Sequence, residues 1–548
     1  MPSPTGPLIV QSDRTVLLEV ANPLAEDARH DLAIFAELER APEHIHTYRI
    51  TRLGLWNARA AGHSAEDMIA TLEKYSKFGI PQSVIVDLTE TVGRYGRLVI
   101  ERNPAGTLVL DSSDPAVLAE ISRAKRIAPL LLERLSESSY AIQPWARGAL
   151  KQELVKLGWP ADDLAGYTPG TPHQIALVQD SWHLRDYQNK AIENFFVGGS
   201  GVVVLPCGAG KTLVGAGAMA TAKTTTLILV TNTVSARQWR SELLKRTTLT
   251  EDEIGEYSGS VKQVRPVTIA TYQILTAKRS GAYAHLSLLD AMDWGLIIYD
   301  EVHLLPAPVF KLTAELQARR RLGLTATLVR EDGREGDVFS LIGPKRFDAP
   351  WKEIEAQGFI SPAACFEVRV DLPQHQRMEY AAAADETRYR MAATSPAKLE
   401  VVRDLVAKHR GERILVIGQY LDQIAELAED LGAPSITGAT PIDERERLFQ
   451  EFRDGTTRVL VVSKVANFSV DLPEASVAIQ VSGSFGSRQE EAQRLGRLLR
   501  PKESGLPASF YTLVARDTVD QDFAQNRQRF LAEQGYSYTI LDAHALAA

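Results

Sequence analysis

The stretch GVVVLPCGAGKT, residues 201–212, runs from an apolar segment through a glycine-rich turn into a helix-forming segment. Val202 to Leu205 form a continuous apolar run of the kind that suits a strand buried on both faces of a parallel sheet. Beyond it, Gly208 and Gly210 free the backbone to turn its N–H groups toward an anion. A helix that starts there adds the positive end of its dipole. Lys211 supplies a cation for terminal phosphates and Thr212 a hydroxyl for a divalent metal. The pattern assigns Pro206, Cys207, Gly208, Ala209, Gly210, Lys211 and Thr212 to the phosphates of a nucleotide with Mg²⁺. A stricter version of this loop would place Gly at position 205, where this chain has Leu205.

The same texture extends outward. Apolar runs in TLILVT, PVTIATY, WGLIIYDE and RLGLTAT alternate with helical stretches, and after about residue 410 the rhythm returns in RILVIGQ, TRVLVVS, ASVAIQVSG and ASFYTLVA. Two tandem α/β domains built on parallel sheets follow from that alternation. WGLIIYDEVH ends in Asp300 and Glu301. Adjacent residues at a strand end point differently, so Asp300 suits the metal and Glu301 the attacking water of a phosphoryl transfer. His303 is placed to read the nucleotide state. In QRLGRLLRPK, Gln493 is a further candidate, and Arg497 and Arg500 are arginines that could reach a phosphate across a cleft, since residues three apart share a helix face.

The N-terminal part reads differently. RLGLWNARAAG is helical and stops at Gly62; Ser64 and Asp67 make a capping box for a second helix that Gly79 closes; Pro81 opens a third. GRLVIERNPAGTLVLD then reads as a hairpin turning at Asn103 to Gly106. Three helices followed by a hairpin is a winged-helix-like order. The third helix carries Asp87 and Glu90, so protein docking fits it better than groove reading.

Across all 548 residues, apolar content is 45% and charged content 24%, as in globular proteins. No apolar run reaches membrane-spanning length, and the N-terminus lacks a secretion pattern. Cys207 and Cys365 are the two cysteines, which excludes a disulfide framework and points to a reducing compartment, the cytoplasm. The net charge of −8 weighs against a broad nucleic-acid surface and confines any DNA path to a local groove.

PCGAGKT, DEVH, LTAT (Leu324 to Thr327) and QRLGR, in this order, resemble superfamily 2 helicases, in which a departure from Gly at position 205 is usual. LRDYQ (Leu184 to Gln188), Arg330-Glu331-Asp332, SKVANFSVDLPEA and the N-terminal APEHIHTYRIT are similar to the XPB helicases, and the likeness covers nearly the whole chain. The resemblance implies two RecA-like domains, dependence on ATP and Mg²⁺, and 3′-to-5′ movement on DNA in repair, at the nucleoid. It implies a winged-helix-like docking unit over 1–118, a damage-recognition-like domain over 119–175, motor domains over 176–358 and 359–548, and a helical thumb near 370–395. That last segment is not clearly basic. Long charged extensions of eukaryotic members are missing, as in a compact prokaryotic form, and a nuclease or repair protein would dock through the N-terminal unit.

By the same resemblance Arg185 and Gln188 read adenine, Asp471 meets the nucleotide, and Arg330, Glu331 and Asp332 couple ATP use to DNA opening. Candidates for holding DNA or for coupling are Thr231, Asn232, Gln238, Thr271, Thr325, Thr327, Gln419, Ser463, Lys464 and Asn467, at strand ends and loops that suit backbone recognition. Each is equally a cap or turn residue when taken alone. A double-strand translocase that opens DNA locally, or assists a nuclease, is the alternative to processive unwinding.

Overall fold

A computed structural model describes residues 5–41, 44–206, 208–259, 261–279, 282–306, 309, 313–317, 319–326, 334–349, 354, 363–463, 475–483, 508–525 and 538–546. Its first unit is a four-stranded antiparallel sheet of β1 (Leu8–Val10), β2 (Thr15–Glu19), β3 (Ala36–Arg40) and β4 (Ile45–Ile50), in the order β1-β2-β4-β3. It packs with α1 (Ala25–Leu32), α2 (Arg52–Ala60), α3 (Ala65–Tyr75) and α4 (Gln82–Arg94) around a core that includes Leu18, Phe35, Tyr48, Met68 and Leu88.

The three expected helices are α2 to α4, and the Ser64–Asp67 capping box is present. One expectation is corrected: α3 ends at Tyr75, where Ser76 turns to extended backbone, rather than at Gly79. Another concerns the hairpin. It forms as β5 (Leu98–Arg102) and β6 (Leu108–Ser112), with Gly106 at φ 82° in its turn.

Its partners, however, are β7 (Leu131–Arg134), β8 (Ser139–Ile142) and β9 (Ala161–Asp163), in one five-stranded sheet of order β7-β8-β6-β5-β9. That sheet spans Leu98 to Asp163, so a division at residue 118 cuts through it. The hairpin belongs to the second unit and is no wing of the first. Side chains of β5, β6 and β8, with α5 (Pro115–Ile121) and α6 (Ala146–Leu157), share one apolar core. Arg147 and Lys151 on α6 both bind the Asp163 carboxylate, at 2.7 and 2.6 Å.

Both units rest on the first motor domain. Asn57 Oδ1 accepts from the Lys345 backbone N–H at 2.9 Å, and Gln152 Nε2 donates to Asp337 Oδ1 at 2.7 Å. Trp56 packs tilted and Tyr95 edge-on against Phe339, with centroids 6.2 and 6.3 Å away.

The first motor domain runs through α7 (Asp186–Gly198), β10 (Ser200–Val204), α8 (Lys211–Ala222), β11 (Thr226–Val230), α9 (Thr233–Arg246), β12 (Ile254–Tyr257), β13 (Val267–Thr271) and α10 (Tyr272–Thr276). A two-residue-stranded hairpin, β14 (Lys278–Arg279) and β15 (Ala282–Tyr283), precedes β16 (Leu296–Asp300), β17 (Arg320–Thr325) and β18 (Lys345–Asp348). Seven strands form a parallel sheet of order β12-β13-β11-β16-β17-β10-β18. Every residue of β10, β11 and β13 is buried, which is what their unbroken apolar runs require when helices cover both faces.

A second seven-stranded parallel sheet follows. Its strands are β19 (Ala363–Val370), β20 (Ile414–Ile417), β21 (Ser435–Ile436), β22 (Val459–Val462), β23 (Val477–Gln480), β24 (Ala508–Ala515) and β25 (Tyr538–Asp542), in the order β21-β22-β20-β23-β24-β19-β25. The expected tandem of RecA-like sheets is therefore present. The stretch 370–395 is helical, as α11 (Gln374–Ala382) and α12 (Asp385–Ala393). Tyr389 donates to the Gly483 carbonyl, which ties α12 to the end of β23.

Candidate active site at the rim of the first motor sheet

In a parallel sheet all carboxyl ends fall on one rim, and ligands bind there. Register makes this concrete: Val204 pairs with Thr325, and Asp300 with Leu324. The loop after β10, the acidic pair after β16 and the threonine ending β17 therefore meet, although 204 and 325 are distant in sequence.

Gly208 and Gly210 have φ of 82° and 79°, conformations that favour glycine, and Gly210 caps α8. A Cβ at Gly210 would also lie 2.5 Å from Gln188 Nε2. The Gln188 amide is committed at both ends: its Oε1 accepts from the Arg185 N–H at 2.9 Å, and its Nε2 donates to the Ala209 carbonyl at 2.9 Å. Tyr187 donates to the same carbonyl at 2.8 Å and in turn accepts from Arg185 at 3.0 Å. So the LRDYQ segment braces the phosphate loop from behind. Lys211 heads α8, where Nζ lies 3.5 Å from Glu301 Oε1 and donates to the Leu205 carbonyl at 3.4 Å. Thr212 is the next residue of that first turn.

Asp300 is enclosed. Its Oδ2 accepts from the Trp239 indole at 2.8 Å, its Oδ1 from the Glu301 N–H at 3.1 Å, and its carbonyl from the Tyr272 hydroxyl at 2.8 Å. Burial pushes its carboxyl up to about 6, and the Glu301 charge pushes the same way, while Trp239 and Lys211 pull down. Two adjacent carboxylates beside one lysine leave an excess of negative charge that a divalent cation would neutralise. Mg²⁺ in phosphoryl-transfer enzymes is held through one or two carboxylates plus substrate phosphates, so Asp300 with the Thr212 hydroxyl fits that ion. Among the described residues no group of three or more His, Cys, Asp or Glu could hold a metal alone.

Glu301 adopts φ 50° and ψ 54°, left-handed for a residue with a side chain. That turn sends its carboxylate away from Asp300, toward Lys211 and His303, whose Nδ1 lies 3.5 Å off. His303 Nδ1 also bonds Thr325 Oγ1 at 2.7 Å. The water, nucleotide-state and LTAT candidates thus form one chain of contacts.

The other candidates divide. Asn232 caps α9 by accepting from the Ser235 N–H at 2.9 Å, and its amide donates to Thr231 Oγ1 at 3.2 Å. Thr271 is buried at the end of β13. Gln238 is exposed in the second turn of α9. In the second motor domain, Gln419 follows β20, with its N–H donating to Ser482 Oγ at 2.8 Å, and Ser463 follows β22. Cys207, Thr327, Arg330, Glu331, Asp332, Lys464, Asn467, Asp471, Gln493, Arg497 and Arg500 lie outside the described residues.

Sequence reasoning passed over Tyr187, Trp239 and Tyr272. Trp239 follows Gln238 in a stretch already singled out, and its place two helical turns after the Asn232 cap was a usable signal for an inward face. Its partner 61 residues away was not.

A tandem of parallel sheets with a glycine-rich loop, an acidic strand end and a His303–Thr325 contact on one rim accords with an ATP-hydrolysing motor of the superfamily 2 helicase class. Family models match residues 354–547 (ERCC3/RAD25/XPB C-terminal helicase), 181–330 (type III restriction enzyme, res subunit) and 8–136 (helicase conserved C-terminal domain). A protein of Kineococcus radiotolerans called DNA 3′-5′ helicase XPB is 66% identical over 538 residues, covering 98% of this chain and 97% of that protein. One of the same name from Mycobacterium tuberculosis is 63% identical, covering 99% and 98%. The Saccharomyces cerevisiae general transcription and DNA repair factor IIH helicase/translocase subunit XPB/SSL2 is 32% identical, covering 97% of this chain and 72% of that one. The chain belongs to the XPB family of DNA helicases.

Proposed function

We propose that this protein is an ATP-dependent 3′-to-5′ DNA helicase acting in DNA repair. The observation that carries the reading is the convergence of Lys211, Asp300, Glu301, His303 and Thr325 on one sheet rim, in a chain that matches DNA 3′-5′ helicases from end to end. Lys211 and the N–H groups of residues 208–212 hold the phosphates. Asp300 and Thr212 hold Mg²⁺, which neutralises charge on the phosphates when bound. Glu301 orients the attacking water, and Gln493, Arg497 and Arg500 stabilise the transferred phosphoryl group from the second motor domain.

His303 and Thr325 carry the loss of the terminal phosphate to β17 and on to Arg330-Glu331-Asp332. DNA lies against the loops that follow β11 and β13 and those at Gln419 and Ser463. The first unit serves to dock a nuclease or another repair protein. Among the described residues no helix is long and apolar enough to cross a membrane.

Strand displacement on a 3′-tailed duplex tests the reading, beside triplex displacement on blunt duplex. ATP-dependent release of the 3′-tailed strand is expected. Triplex displacement without strand release would replace unwinding by duplex translocation, and neither would defeat the proposal.

A further inference from the structure

Asp300 is gripped by two aromatic donors from the helices that follow two different strands, α9 after β11 and α10 after β13. The Trp239 indole donates to its carboxylate and the Tyr272 hydroxyl to its carbonyl, both at 2.8 Å. Both rings are buried, at 2% and 3% exposure, while Asp300 itself is half-buried. Trp239 stands on α9, the helix capped by Asn232, seven residues and about 10 Å of helix beyond that cap. Tyr272 directly follows Thr271. Because β11 and β13 pair with Val230 opposite Thr271, the two loops are neighbours on the rim. The Trp239 ring is also fixed from the side of α8: a Cβ at Gly215 would lie 2.5 Å from it. One indole therefore touches both the helix that carries Lys211 and the carboxylate of Asp300.

Resting on the reading that the loops after β11 and β13 hold DNA, we propose that Trp239 and Tyr272 are positioning residues through which DNA in those loops orients Asp300. Stimulation of ATP hydrolysis by DNA runs through these two hydrogen bonds. One continuous helix joins the Asn232 cap to Trp239, so a displacement at the cap has a rigid element to travel along. An indole has one N–H and a fixed ring plane, so moving the ring moves the carboxylate oxygen that accepts from it. Tyr272 acts at shorter range, on the backbone that sets where both Asp300 and Glu301 begin.

Trp239→Phe keeps an aromatic ring but removes the N–H together with the outer ring edge that meets Gly215; Tyr272→Phe removes only the hydroxyl. Each purified full-length variant is assayed for ATP turnover with and without DNA, and for DNA affinity by fluorescence anisotropy. In each variant the ratio of DNA-stimulated to DNA-free turnover is expected to fall at least about fivefold, with DNA affinity within about twofold of wild type. Equal loss of both rates would mean a packing role only and overturn the proposal, as would an unchanged ratio. If Trp239→Phe fails to fold in a thermal melt, Tyr272→Phe decides by the same criterion. Wild-type protein that DNA does not stimulate would defeat the functional reading itself, and this inference with it.

Discussion

Glu301 concentrates the demands of the site on a single residue. Its left-handed backbone costs about 1–2 kcal/mol for a residue with a Cβ. What the strain accomplishes is divergence: one carboxylate of an adjacent pair turns to Trp239 and the other to Lys211 and His303. The two roles separate by substitution. Glu301→Gln keeps the side chain's shape and loses the charge that orients water. It is expected to bind a fluorescent ATP analogue within about threefold of wild type and to lose at least about 100-fold in turnover. Lys211→Ala removes the phosphate contact and is expected to lose both. Near wild-type turnover by Glu301→Gln would remove that residue from the mechanism.

Among elements, α8 and α9 approach closely because position 215 has no side chain. Gly215→Ala puts a methyl into the Trp239 ring. Overpacking of this kind costs about 1–3 kcal/mol, which a thermal melt of the purified protein reads as a lowered midpoint. An unchanged midpoint would mean that the two helices have room to part. In the first unit, β4 carries His46, buried opposite Leu18 of β2. Burial pushes its imidazole down to about 4, and Arg29 adds to the effect.

The unfolded chain takes up a proton near pH 6.5 and the folded one only near 4. Stability from this group is therefore complete above pH 6.5 and is lost as the pH falls from there toward 4, by on the order of 3 kcal/mol. His46→Leu, of similar size and with no proton to bind, is expected to lower the acid midpoint for melting of the first unit, followed by hydrogen exchange in β4. Identical acid profiles for variant and wild type would show that His46 titrates normally.

On the scale of the whole molecule, the point at which the chain is divided matters. Removing residues 1–94 takes away the first unit and its contacts at Asn57 and Trp56, and leaves the five-stranded sheet of the second unit whole. That protein is expected to stay folded and to hydrolyse ATP in the presence of DNA. Removing residues 1–118 also deletes β5 and β6, which lie between β8 and β9, and strips Leu98, Ile100, Leu108 and Leu110 from the core. It is expected to melt at least about 5 °C lower than the shorter truncation, or to fail to fold. Equal melting temperatures would argue that the second unit holds together without its hairpin.

Local chemistry determined what could be read directly. The loop at 208–212 announced itself because glycine, lysine and threonine each do something there that few other residues can. The buried strands did so because a strand covered on both faces must be apolar throughout, as β10, β11 and β13 are. Capping at Ser64 and the turn at Gly106 depend on neighbours within a few residues, so they too were legible.

The four strands of the first unit were not: they are three to six residues long and their pairing is set by packing against helices that follow. Nor was the partner of the hairpin, since an edge of β5 can pair with any strand that burial brings beside it, and β9 lies some 60 residues on. Sequence named Asp300 as an acid at a strand end. Only the tertiary structure decided that Trp239 and Tyr272 would hold its carboxylate and its carbonyl, because a half-buried polar residue takes its donors from whatever the packed helices bring within reach.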